Sequence, residues 1–141
     1  MKLKIVETEQ EKEHAFFVRT EVFVNEQKVP VEEEIDEFDD TAIHFLGYEQ
    51  EQPVVASRLR FADGYGKLER ICVLKNFRGK SFGKDIIQAM EKVILEKGYT
   101  KAKLNAQTHA EEFYKKLGYQ TVSGEFLDAG IPHVTMIKEF S

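Results

Sequence analysis

Between Leu68 and Leu95 the chain changes its hydrophobic period, and this change constrains its architecture more than any other feature. Leu68 to Leu74 ends on Ile71-Cys72-Val73-Leu74, an apolar run that reads as a buried strand. Phe82, Ile86, Ile87, Met90, Val93 and Ile94 then recur at helical spacing, the stripe of a helix with one face on a core. Between them lies a basic, glycine-containing loop, Lys75-Asn76-Phe77-Arg78-Gly79-Lys80-Ser81. Gly98 stands where a helix C-cap glycine would, and Thr100 to Ala106 is strand-like again. A strand, a helix and a strand in this order predict a crossover between parallel strands.

The remaining elements surround that unit. Leu3-Lys4-Ile5-Val6 alternates as a strand does, and a helix is predicted from about Glu9 to Asn25 by Ala15, Phe16, Val22 and Phe23. Pro30 and the acidic residues after it mark a loop. His44 to Tyr48 and Val54 to Phe61 read as strands joined by a turn at Glu51-Gln52-Pro53, with Leu59 and Phe61 alternating against Arg58 and Arg60. Asp63-Gly64-Tyr65-Gly66 is a turn into a third strand, Lys67 to Leu74. Ala110, Phe113, Tyr114 and Leu117 make a short amphipathic helix closed by Gly118, and two strands follow, near Gln120 to Phe126 and His133 to Glu139. The pattern is a mixed α/β (α+β) fold with antiparallel hairpins, in a single domain over residues 1–141.

Charge and cysteine usage exclude several classes. The net charge of −5 lacks the basic footprint of a general nucleic-acid binder. Cys72 is the only cysteine, so no intrachain disulfide can form. No secretory signal opens the chain and no apolar stretch approaches the ~20 residues of a membrane span, so a soluble cytoplasmic protein is expected. Glu32, Glu33, Glu34, Asp36, Glu37, Asp39 and Asp40 crowd one segment. Such a run is either a solvated loop or a rim that attracts a cationic amine.

The loop between the buried strand and the striped helix has the physics of an anion site. The first amides of a helix have no internal partners, and the helix dipole adds partial positive charge there. Gly79 and Gly83 let a phosphate approach the backbone, and Arg78, Lys80 and Lys84 add charge. Gly79-Lys80-Ser81 imitates the tail of a P-loop, but that motif needs glycine where Leu74 stands. The glycine spacing is also wrong for a dinucleotide fingerprint. A basic loop that merely caps a helix remains the alternative.

The segment resembles the acetyl-CoA loop of the GNAT superfamily of N-acetyltransferases, whose pattern is Gln/Arg-x-x-Gly-x-Gly/Ala. Arg78 and Gly83 match its ends, while Ser81 stands where the middle glycine is usual. Serine tolerates positive φ poorly, so an altered loop or a looser cofactor is expected. Downstream, Ala110-Glu111-Glu112-Phe113-Tyr114-Lys115-Lys116-Leu117-Gly118-Tyr119 is similar to the family's Ala-x-x-Phe-Tyr-x-Lys-x-Gly-Phe/Tyr pattern, with one strand between the motifs. Arg19 to Gln27 (RTEVFVNEQ) and Gly130 to Met136 (GIPHVTM) resemble the small bacterial GNAT proteins of the YjcF and ElaA type. The resemblance implies a twisted, mixed, mostly antiparallel sheet flanked by helices.

It also implies a reaction: direct transfer of acetyl from acetyl-CoA, a co-substrate used without metal, to a primary amine of a small molecule or peptide. Arg78, Gly79, Lys80, Ser81, Phe82, Gly83 and Lys84 would hold the pyrophosphate. Ile71, Cys72 and Val73 would bind the cofactor through their backbone, with the backbone N–H of the Cys72–Val73 region polarising the thioester carbonyl. Asn105, on the strand splayed from this one, would bond the pantetheine arm or order water. Tyr114 would contact the cofactor and protonate the leaving thiolate. An alkyl ammonium of pKa about 10.4 needs a base, and the resemblance points to Glu69, with Glu26 and His133 as rivals. The Cys72 thiol itself reads as a small buried hydrophobe. Homodimers are common in the family, and nothing in the sequence demands one.

Two other readings stand beside this one. Arg19, Phe23 and the stretch Glu34 to Asp39 resemble part of the acyl-homoserine-lactone synthase signature, with Arg58 or Arg60 as a further match, although the chain lacks that family's tryptophan. A non-catalytic acyl-CoA-binding module is the second, since a fold does not guarantee an activity.

Overall fold

Thr8 and Glu11 start the first helix: the Thr8 side chain accepts from the Glu11 amide, and the Glu11 carboxylate accepts from the Thr8 amide. The computed structural model describes residues 1–140 in two compact units, Met1–Arg60 with Leu68–Met90, and Phe61–Lys67 with the chain from Glu91 onward.

In chain order β1 (Lys2–Ile5) is followed by α1 (Glu9–Arg19), then α2 (Val31–Glu34), β2 (Ile43–Glu49), β3 (Gln52–Ala62) and β4 (Tyr65–Val73); all of these belong to the first unit except Phe61 and Ala62 of β3 and Tyr65 to Lys67 of β4, which belong to the second. β1 pairs antiparallel with β2 and β2 with β3, and the strand order is β1-β2-β3-β4. The β2–β3 turn is made by Gln50 and Glu51, both at positive φ, rather than by the expected Glu51-Gln52-Pro53. A tight hairpin matched to the strand twist needs two left-handed residues, and here neither is glycine. Ala15, Val18 and Val22 pack with Leu46, Ala56 and Cys72 into a core.

The helix expected to reach Asn25 changes hand-hold partway. Thr20–Glu26 is a π-helix, closed by the Gln27 amide on the Val22 carbonyl. Such widened turns are rare and often lie at functional sites. The acidic segment is also more ordered than the expected loop. It forms α2 and a 3-10 turn over Glu37–Asp40, which Asp36 caps by accepting from the Phe38 amide.

α3 (Phe82–Glu96) carries the predicted stripe, with Phe82, Ile86, Ile87, Met90 and Ile94 buried. Gly98, at φ +86°, ends it, and the Tyr99 amide bonds back to the Ile94 carbonyl as the C-cap pattern requires.

The second unit contains β5 (Lys101–Gln107), α4 (Glu111–Lys116), β6 (Gln120–Thr121), β7 (Phe126–Asp128) and β8 (Ile131–Glu139). Gly66 and Lys67 of β4 pair in parallel with Ala102 and Lys103 of β5. β5 pairs antiparallel with β8 from Lys101↔Glu139 to Gln107↔His133, and β6 and β7 also line β8. The expected strand near Gln120 to Phe126 is thus split. Ser123 interrupts it, its hydroxyl accepting from the Thr135 amide where a main-chain carbonyl would serve in a continuous ladder. The pairing is mostly antiparallel, and the fold is mixed α+β.

Candidate active site

The stretch from β4 to α3 is shaped by two left-handed residues. After a 3-10 turn at Lys75–Phe77, Gly79 has φ +80° and Ser81 has φ +67°. The Ser81 carbonyl accepts from the Asp85 amide at 3.0 Å, so Ser81 stands at the threshold of α3 and the amides of Phe82, Gly83 and Lys84 form its first turn. Ser81 therefore adopts a glycine-like conformation despite its Cβ, at a cost of about 1–2 kcal/mol. Lys80 lies with its Nζ 5.5 Å from the Phe77 ring centre, and Lys80, Ser81 and Lys84 are exposed.

Arg78 is engaged by its own unit. Its Nε donates to the Val73 carbonyl at 3.0 Å, and its two terminal nitrogens donate to the two carboxylate oxygens of Glu26, each at 2.7 Å. This fork ties the loop to the π-helix. The Arg78 hydrogen bonds also hold the Glu26 carboxyl below its usual pKa. Beside the pair opens a cleft of about 350 Å³ lined by Glu21, Val22, Asn25, Glu26, Leu74, Lys75 and Asn76. Of these, Glu26 is a candidate base from the sequence and Lys75 and Asn76 belong to its basic loop, whereas nothing in their residue types marks Glu21 or Asn25.

β4 carries the other expected groups. The Cys72 side chain is buried on Ala56, and burial pushes its thiol up to about 12, so it stays protonated. Arg70 has φ +56° in the middle of the strand, a conformation uncommon for a residue with a side chain. Ile71 and Val73 flank Cys72 and are half-buried.

Glu69 is not the solvent-facing residue its alternation allows. Its Oε1 accepts from Arg58 Nε and Arg60 Nε, each at 2.9 Å, and its Oε2 from Arg60 at 3.0 Å. Burial alone would raise its pKa; the hydrogen bonds and charge of Arg60 and Arg58 outweigh this and lower it.

The same arginines reach into the acidic run. Arg19 and Arg58 are both buried, and Arg58 Nη1 donates to Asp36 at 2.7 Å and to Asp39 at 2.9 Å. Arg19 donates to Glu34 through Nε at 3.2 Å and to Asp39 through Nη1 at 2.7 Å. Arg70 donates to the Glu34 carbonyl at 3.1 Å and to Asp36 at 3.3 Å. Burial opposes ionisation of Asp39, but the bonds and charge of Arg19, the Asp36 amide and Arg58 hold its carboxyl well below the usual range. So Glu34, Asp36 and Asp39 are not a solvated run, and of the segment's acidic residues only Glu32, Glu33, Glu37 and Asp40 are exposed. The residues that resembled the lactone-synthase signature, apart from Phe23, are largely those of this network.

In the second unit Tyr114 is buried on α4, edge-on to Phe113 at 5.1 Å and to Tyr119 at 6.0 Å between ring centres. Asn105 faces Thr135 across β5 and β8 and accepts from its hydroxyl at 2.9 Å. His133 Nδ1 donates to the Ile131 carbonyl at 2.6 Å, with its ring stacked on Phe126. These two contacts give His133 a structural place.

Comparison with known proteins agrees with this architecture. The model of a family described as acetyltransferase (GNAT) domain matches residues 5–140. The chain is 53% identical over 140 residues to the uncharacterized N-acetyltransferase YjcF of Bacillus subtilis (strain 168), covering 99% of this chain and 100% of that one. An acyl-CoA N-acyltransferase from Pseudomonas aeruginosa superposes with a TM-score of 0.84 at 27% identity, covering 98% of this chain and 99% of that one. ElaA of Escherichia coli has the same fold, with a TM-score of 0.88 at 23% identity over 99% and 100% of the two chains.

Proposed function

The chain belongs to the acetyltransferase (GNAT) domain family, and on that premise we propose that it moves an acetyl group from acetyl-CoA to a primary amine by direct attack in a ternary complex. One observation carries the reading: Gly79 and Ser81 both take positive φ and deliver the chain from β4 to the first turn of α3. That conformation suits a backbone that receives a pyrophosphate. In this reading residues 1–141 act as one catalytic domain, and the family match runs through both units.

The chemistry divides among the residues already placed. The amides from Gly79 to Lys84 bind the pyrophosphate, with the Lys80 and Lys84 ammonium groups adding charge. Arg78, its amide bonded to the Lys75 carbonyl and its side chain to Glu26 and Val73, holds the loop in shape beside the phosphate. The Ile71, Cys72 and Val73 backbone takes the pantetheine and acetyl end, with a backbone N–H of the Cys72–Val73 region on the carbonyl oxygen; a donor of that kind is worth ~3 kcal/mol in a transition state. Asn105 bonds the pantetheine arm, and Tyr114, a phenol of pKa about 10, protonates the departing thiolate.

Two carboxylates and His133 compete to accept the amine's proton. Glu26 lines the cleft of about 350 Å³. Both carboxylates are held ionised by arginines, Glu26 by Arg78 and Glu69 by Arg60 and Arg58, which weakens each as a base. A base acting through water needs no contact with the amine, so all three belong to the proposal, and Glu26→Gln, Glu69→Gln and His133→Gln separate them by which one flattens the acid limb of the pH–rate profile.

Release of free thiol from acetyl-CoA across a panel of amines tests the activity. Gly83→Asp, which sets a carboxylate against the phosphate, should weaken acetyl-CoA binding by more than tenfold, about 1.4 kcal/mol, in calorimetry. Unchanged affinity would remove this loop as the cofactor site.

A further inference from the structure

Residue 70 has an arginine in a backbone conformation that suits glycine. A side chain at φ +56° inside a strand is strained, and such strain persists only where the surroundings over-determine it. Its consequence is visible next door. Neighbouring side chains in a regular strand point to opposite faces. Here Glu69 and Arg70 end in one charge cluster: Glu69 on Arg58, which bonds Asp36, and Arg70 on Asp36 itself. The strand has been turned at this residue.

The guanidinium supplies the hold. Its Nε donates to the Glu34 carbonyl at 3.1 Å and lies 3.0 Å from the Glu34 carboxylate, and its Nη2 donates to the Glu33 carbonyl and to Asp36, each at 3.3 Å. These are planar, multiple contacts that an ammonium cannot reproduce. The gripped segment is itself immobilised, because Arg19 fastens Glu34 and Arg58 fastens Asp36. Beyond the turn the strand is anchored again, by Cys72 in the core and by the Leu74 amide on the Val54 carbonyl.

We propose that Arg70 is a positioning residue: by gripping residues 33–36 it holds the left-handed turn in β4, and so aims a backbone N–H of the Cys72–Val73 region at the thioester carbonyl. The inference rests on the functional reading above, which assigns the carbonyl to that donor. A side chain that only tied the acidic segment down would need no left-handed backbone. Arg70 itself touches neither cofactor nor acceptor in this scheme.

The test needs no acceptor. Binding of acetyl-CoA and of CoA is measured by calorimetry for the wild type, Arg70→Gly and Arg70→Lys, with isotope-edited infrared spectroscopy of bound acetyl-CoA labelled at its carbonyl carbon. Glycine accepts the backbone conformation but loses the grip. Lysine keeps charge and bulk should the glycine variant fail to fold, as circular dichroism would reveal. The wild type should lower the carbonyl stretch below that of free acetyl-CoA, and the variants should return it toward the free value. Preference for acetyl-CoA over CoA should fall by roughly fivefold, about the worth of one neutral hydrogen bond. CoA affinity should stay within about twofold, since the phosphate contacts are elsewhere. A folded variant that keeps the wild-type stretch overturns the proposal, as does a wild type that binds acetyl-CoA without shifting it. A wild type that binds neither ligand overturns the functional reading, and the role of Arg70 with it.

Discussion

At the scale of single residues, the sequence pattern and the backbone disagree at Ser81, and the disagreement is measurable. Ser81 occupies φ +67° where a glycine would rest without strain. Ser81→Gly removes that strain but gives the unfolded chain more freedom, so a net stabilisation of roughly 0.5–1 kcal/mol is expected. A urea midpoint that rises at constant slope is the check, and a fall would mean the Ser81 hydroxyl holds more than the backbone costs. Tyr114 is the second case. Its ring is packed by Phe113 and Tyr119, so Tyr114→Phe keeps the ring contacts and removes only the hydroxyl. Turnover should drop far more than acetyl-CoA affinity. An unaltered rate at every pH would take the acid role away from Tyr114.

At the scale of elements, the acidic segment and the π-helix are set by partners far along the chain. Arg19 places its guanidinium between the buried carboxylates of Glu34 and Asp39. Arg19→Met leaves both without that cation, and breaking such a buried pair costs about 3–5 kcal/mol. Thermal melting would register the loss, and a variant as stable as the wild type would show that Arg58 and Arg70 suffice. The π-helix offers the opposite case. Glu26 and Arg78 are partly exposed, so Glu26→Gln should cost less than about 1 kcal/mol of stability. A large fall in turnover from so mild a change would identify Glu26 as the base; an unchanged rate would leave the role to Glu69 or His133.

At the scale of the whole molecule, the charge network gives stability a pH dependence whose sign follows from three carboxylates against one. Asp36, Asp39 and Glu69 titrate below their ordinary values, so each contributes stability that is present above its unfolded pKa and lost as pH falls through the folded one. Burial raises Glu34, which works in the other sense. The unfolded chain therefore takes up protons first, and the urea midpoint should fall as pH drops below about 5. A midpoint that stays level to pH 3 would mean that the arginine contacts do not persist in solution.

The order of the longer elements and the loop before α3 were legible because helical stripes, strand runs and capping glycines are written in residues only a few positions apart. Phe82 to Ile94 announces its helix whatever surrounds it. Gln50 and Glu51 hid their turn, because nothing in those residue types asks for positive φ. The acidic run was ambiguous for a different reason: whether a carboxylate is solvated depends on what lies against it. Tertiary structure alone brought Arg70 to Glu34 across 36 positions and Arg78 to Glu26 across 52. It likewise turned β4 at Arg70. Periodicity is a local property that a chain carries unfolded, whereas the pairing of buried charges and the strain they sustain exist only once distant segments are packed together.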